Sequence, residues 1–171
     1  MKITEAASER HVLTVTVDNE PGILAKITGL FTARGYNIDS LTVADITEDH
    51  ALSRITIVTN GPPQVIDQIE AQLERLVPVH RVIDLTEAGP HVERELALIK
   101  VAGTGDKRVE ALRVAEIFRA HVVDTTTTSF VFELTGAPEK IDSFVALMRG
   151  LGLVEVGRSG VVGMMRGAEG S

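Results

Sequence analysis

The sequence predicts an α+β chain built from two tandem βαββαβ units. Two kinds of apolar pattern occur, one alternating with period two and one recurring at helical spacing. They follow one another as strand, helix, strand, strand, helix, strand. After Gly89-Pro90 the same order starts again. We place the linker at 87–92, which separates a first unit, 1–86, from a second, 93–171.

The first unit opens with a strand, His11–Val17, in which Leu13, Val15 and Val17 alternate with Thr14 and Thr16. Ile23–Arg34 follows as a helix, with Ile23, Leu24, Ile27, Leu30 and Phe31 on one face. Gly35 stands just past its end, where glycine is favoured. Ile38–Ile46 and Leu52–Thr59 form a hairpin around the polar turn Thr47–His50. Pro62 and Pro63 open a second helix with an apolar stripe of Val65, Ile66, Ile69, Leu73 and Leu76. Val79–Leu85 is the fourth strand.

The second unit repeats the scheme. Leu96–Ala102 is a strand and Arg108–Arg119 a helix with Ala111, Val114, Ala115 and Phe118 inward. Val122–Thr128 and Phe130–Thr135 are strands, the first rich in β-branched residues. Pro138–Arg149 is a helix stopped by Gly150, and Val154–Val162 closes the unit as a strand. Each unit is then a ferredoxin-like four-stranded antiparallel sheet with two helices on one face. The opposite sheet face is expected to be aliphatic and covered by another copy of the chain, above all in the first unit.

Composition narrows the function. Of 171 residues 44% are apolar, and the only aromatics are five Phe and one Tyr, so the core is mainly aliphatic. No Cys is present, which excludes disulfides, thiolate metal sites and Cys nucleophiles. The N-terminus MKITEAASER lacks the apolar region of a secretory signal, and no apolar run reaches bilayer-spanning length. A cytoplasmic location and no membrane partner are expected. The formal net charge is -7, concentrated in residues 1–88, which argues against a nucleic-acid partner.

The residues that carry chemistry cluster around the first helix. Asn19-Glu20-Pro21-Gly22 is a turn leading directly into it, and Gly35-Tyr36-Asn37-Ile38 is a second turn leading out. A helix start offers backbone N–H groups and partial positive charge to a carboxylate. Asn19 and Asn37 can each donate and accept hydrogen bonds. Taken singly, Gly22 reads as an ordinary turn glycine and Asn19 as a helix cap. Together they suit the holding of a small zwitterion. No catalytic residues and no metal ligands are expected: the five His show no paired spacing, Ser53 and Ser159 lack a nucleophile-elbow context, and Gly103–Lys107 is too short for a Walker loop. Most of the His are expected to be surface or strand-edge residues. The tail Arg158–Gly167 reads either as a frayed last strand or as a docking segment.

Three segments carry a resemblance. Asn19–Ala44, with GLFTARGYNIDSLTVA, then His91–Leu96 and Arg158–Val162 resemble the small regulatory subunits of acetolactate synthase (acetohydroxyacid synthase), in that order along the chain. The resemblance implies that the first unit is an ACT domain, which senses amino acids at a dimer interface. It implies a partner, the separate catalytic (large) subunit, carrying thiamine diphosphate, magnesium and FAD, so that this chain needs no cofactor. It implies activation of that subunit and feedback inhibition by valine. Asn19, Gly22, Ile23 and Leu24 of one protomer and Asn37 and Ile38 of its partner would line the effector site. The effector carboxylate would meet the N–H groups around Gly22–Leu24, its ammonium Asn19 or carbonyls near Asn37, and its branched side chain Leu24 and Ile38. Asp18 and Ala25 stand where many relatives have Glu and Ser. A free-standing tandem amino-acid sensor is the alternative. A small RNA-binding fold using Phe130 and Phe132, and a degenerate enzyme, rank below it.

Overall fold

A computed structural model describes residues 7–171. The elements run β1 (Glu9–Asp18), α1 (Ile23–Ala33), β2 (Ile38–Asp45), β3 (Leu52–Gly61), α2 (Pro63–Glu74), β4 (Val79–Asp84), α3 (Leu85–Ala88), β5 (His91–Ala102), α4 (Asp106–Phe118), β6 (His121–Thr125), β7 (Ser129–Gly136), α5 (Pro138–Arg149), β8 (Leu153–Arg158) and β9 (Val162–Met165). The sheet orders are β2-β3-β1-β4 and β6-β7-β5-β8, all neighbours antiparallel. Both are the ferredoxin-like order, so the chain is α+β with two βαββαβ units. No helix among the described residues is long and apolar enough to cross a membrane.

The chain divides into residues 1–92 with 161–171, and residues 93–160. From the sequence, residues 93–171 are expected to form the second unit as a whole. In the structure the final segment returns to the first. The expected closing strand Val154–Val162 is split, because Gly160 adopts a left-handed φ of +90° and turns the chain between β8 and β9. The expected linker 87–92 is not a plain loop either. Asp84 caps a short helix, accepting from the N–H groups of Thr86 and Glu87, and β5 already begins at His91.

The first core sits between the sheet and its helices: Leu13, Val15 and Val17 from β1, Ile55 and Ile57 from β3, Ile27 and Phe31 from α1, and Ile66, Ile69 and Leu73 from α2. The opposite face of this sheet mixes aliphatic Val12 and Val58 with hydroxyl side chains. It is rich in hydroxyls, including buried Thr14 and Thr56, and the chain's own end lies on it. Val161 packs in a small cluster with Val12, Val58 and Leu85. Gly163 permits this close approach, since a Cβ there would stand 2.6 Å from the Leu85 side chain.

The second core is more aromatic. Phe144 meets Phe118 and Phe132 edge-on, with ring centroids 5.3 and 6.0 Å apart. Phe130 and Phe132 are both buried among these residues, which removes the stacking platform an RNA reader would need. Two of the resemblance segments meet in this unit. Glu95 on β5 is buried and accepts from Arg158 on β8 at 2.9 and 2.7 Å, while Asp142 holds the third guanidinium nitrogen at 2.6 Å. The Glu95 hydrogen bonds hold Arg158 charged well above the ordinary guanidinium range. Beside them, Ser159 exchanges hydrogen bonds with the Leu96 backbone.

Candidate functional site

Gly22 precedes α1 with φ +83° and ψ -4°, a left-handed conformation that L side chains rarely adopt. No atom lies within 4 Å of where its Cβ would be, so the space over the helix start is open. Ile23 donates to the Glu20 carbonyl at 3.4 Å, and the first bond of the helix runs from Lys26 to Gly22. The amides of Leu24 and Ala25 find no acceptor among the described residues and are left to face whatever enters. No acidic residue occupies the first turn to compete for them. Ile23 is buried in the core, whereas Leu24 is 38% exposed and forms an apolar flank.

Asn19 is fixed more firmly than the sequence suggests. Its backbone N–H donates to the Ala51 carbonyl at 2.8 Å. Its side-chain amide donates to Asp45 at 3.2 Å and to the His50 carbonyl at 3.0 Å. With both N–H groups engaged, Oδ1 remains as an acceptor suited to an ammonium group. Asp45 also accepts from Ser53 and pairs with His50 at 2.8 Å. The His50 hydrogen bond, and then that of Ser53, hold its carboxyl below the usual carboxylate range. Asp45 and His50 were not singled out from the sequence. Both sit on or beside the β2–β3 turn, and only the fold brings that turn against Asn19.

Asn37 and Ile38 lie at the other end of α1. Gly35, at φ +70°, ends the helix, with Gly35 and Tyr36 donating to the carbonyls of Thr32 and Phe31. The Asn37 carbonyl accepts from Thr59 Oγ1 at 2.7 Å and its side-chain amide donates to Asp39 at 3.0 Å. Ile38 is half-buried and begins β2, which among the described strands pairs with β3. A helix of 11 residues is about 16 Å long. The structure therefore gathers Asn19, Gly22, Ile23 and Leu24 at one end and Asn37 and Ile38 at the other. One chain does not bring all six together; a site made of both groups takes two copies.

The His residues divide. His50 and His80 are exposed and pair with Asp45 and Asp18. His11, on β1, is by contrast 1% exposed, and its Nδ1 donates to buried Asp84 at 2.6 Å. His11, Asp84 and Glu87 bring ligand-type atoms within 4.8 Å of one another. No local spacing could reveal this, because the contact joins positions 73 apart. Asp84 is already committed to His11 and to capping α3, so we read the group as a brace.

Residues 94–167 match the family described as the small subunit of acetolactate synthase, and residues 13–81 match the ACT domain of such small subunits. The chain belongs to the acetolactate synthase small-subunit family. It is 49% identical over 159 residues to the acetolactate synthase isozyme 3 small subunit of Salmonella typhimurium, covering 92% of this chain and 96% of that one. It is 45% identical to the probable small subunit of Archaeoglobus fulgidus, covering 92% and 98%. The crystal structure of the Thermotoga maritima small subunit superimposes with a TM-score of 0.82 at 38% identity, covering 94% of this chain and 99% of that one.

Proposed function

We propose that this chain is the non-catalytic regulatory subunit of acetolactate synthase, which activates the catalytic subunit and confers feedback inhibition by valine. The condensation of 2-oxo acids, with thiamine diphosphate, magnesium and FAD, belongs in this reading to the companion chain. A cytoplasmic location goes with that role. The observation that carries the reading is the open start of α1, where left-handed Gly22 and the unengaged amides of Leu24 and Ala25 face free space.

The effector carboxylate accepts from those amides and is favoured by the helix dipole. The ammonium meets Asn19 Oδ1. The branched side chain lies between Leu24 of one protomer and Ile38 of its partner. Valine outdoes alanine there by about 0.8 kcal/mol per extra buried carbon. Leucine and isoleucine therefore compete in part. A site shared by two protomers favours one dimer geometry over another, and a coupling of about 1–3 kcal/mol is enough for inhibition.

Calorimetry of the purified protein with each common amino acid tests the reading. Saturable heat with valine and weaker heat with alanine is the expected outcome. No heat with any branched-chain amino acid contradicts it.

A further inference from the structure

We infer that Ser40 and Thr42 are positioning residues of the effector site, acting through a latch to Val161. The inference rests on the effector reading of Asn37 and Ile38.

β2 is an edge strand, its ladder partner among the described strands being β3. Its start, which would carry half of the site, is followed by a bulge: Ile38 pairs with Thr59 but Ser40 with Val58. A bulge re-aims the residues beside it, so the placement of Asn37 and Ile38 depends on what holds the strand just beyond. Two hydroxyls do so. Ser40 and Thr42 are two residues apart and share the sheet face away from the helices. Ser40 Oγ accepts from the Val161 N–H at 2.8 Å, and Thr42 Oγ1 donates to the Val161 carbonyl at 3.1 Å.

Both main-chain groups of one residue are thus clasped by one strand. The Val161 side chain is itself 4% exposed and anchored against Val12 of β1 and Val58 of β3. β2 gains a second attachment, through Val161, to the middle of its own sheet. Gly160–Val161 is also where the chain passes back from the second unit to the first. A shift of β2 on effector binding is therefore felt at that crossing. Equally, a pull on the crossing is felt at Asn37 and Ile38.

Hydrogen exchange on the full-length protein with and without saturating valine tests the latch, alongside valine titration of the reconstituted enzyme. In the wild type valine should slow exchange by about fivefold or more, both at 36–42 and at 159–163. In a Ser40→Ala, Thr42→Val double variant the response at 159–163 should vanish. The valine concentration for half-inhibition should then rise about tenfold or more, with valine-free stimulation of the catalytic subunit retained. Thr42→Ser, which keeps the hydroxyl, should behave as the wild type. Slowing at 36–42 alone in the wild type, or full valine sensitivity in the double variant, overturns the latch. Slowing at neither segment contradicts the effector reading itself, and the latch falls with it.

Discussion

The first and second units share one topology and differ in what surrounds their first helices. α1 starts from Gly22, with no acidic residue in its first turn. α4 starts from Gly105 at φ +61° and ψ -136°, with Asp106 in its first turn. The first turn of α4 thus carries a carboxylate and that of α1 does not. The far ends differ as well. α1 runs out through Gly35 into Asn37 and Ile38, while α4 ends at Arg119 in a left-handed conformation and passes directly to Ala120 and His121. The outer sheet faces also diverge, with the first unit's carrying the chain's own end and the second's presenting Leu96 and Leu98. Repetition of a fold therefore does not repeat a site. A few residues at two helix ends separate the candidate sensor from its structural twin.

The strongest way to break this contrast is to give α1 the charge that α4 has. Gly22→Asp places a carboxylate over the open helix start, where a Cβ meets nothing. Its left-handed backbone costs about 1–3 kcal/mol for a non-glycine residue, which leaves the fold standing. Valine inhibition should be lost, an effect at the upper end of the roughly 5–150-fold range of such couplings. Stimulation of the catalytic subunit should persist. Valine titration of the reconstituted enzyme reads both.

Arg158→Ala tests the other unit. It leaves Glu95 buried without its partner. Arg158 itself reaches solvent, so the cost is about 2–3 kcal/mol, below that of a fully buried pair. Urea unfolding should show this loss, while valine affinity measured by calorimetry on the folded variant stays near the wild type.

Leu24→Ala sharpens the site. Removing this half-exposed flank should weaken valine by about 1 kcal/mol and narrow its advantage over alanine. Calorimetry with both amino acids measures the change.

The smallest effect concerns Glu70. Burial raises its carboxyl pKa above the model-compound 4.5, and the charge of Asp84 adds to the rise. Between that value and the raised one, the folded chain keeps a proton the unfolded chain has lost. Stability from this group is therefore present at low pH and falls as pH rises through the folded pKa. Glu70→Gln should melt higher than wild type at pH 7, with the gap closing towards pH 4. Thermal melts at the two pH values check it.

The local pattern made much of the fold legible. Ile23, Ile27 and Phe31 at helical spacing marked α1, and Pro138 with Gly150 bracketed α5 where the structure has it. Gly22, Asn19 and Asn37 were legible as turn residues, since Gly, Asn and Pro declare their backbone needs. What escaped was long-range. Ser40 and Thr42 read as ordinary strand residues until Val161, about 120 positions away, closed on them. The Glu95–Arg158 pair likewise joins residues 63 positions apart. The short helix α3 lacked enough residues to show a period, and His11 gave no sign of Asp84. In the site itself, the distance between the two ends of α1 followed from helix length alone. Asp45 and His50 did not follow from sequence, because the hairpin reaches Asn19 only through the sheet.

The central claim is that one effector site is shared by two protomers, with α1's start from one and β2's start from the other. Mixing Gly22→Asp and Asn37→Asp variants after subunit exchange tests it most directly. Neither variant alone should bind valine. A mixed dimer concentrates both defects in one site and leaves the other intact. An equal mixture should therefore recover about a quarter of the wild-type binding capacity by calorimetry, at wild-type affinity. Recovery of no binding, from variants that do exchange subunits, would contradict the account.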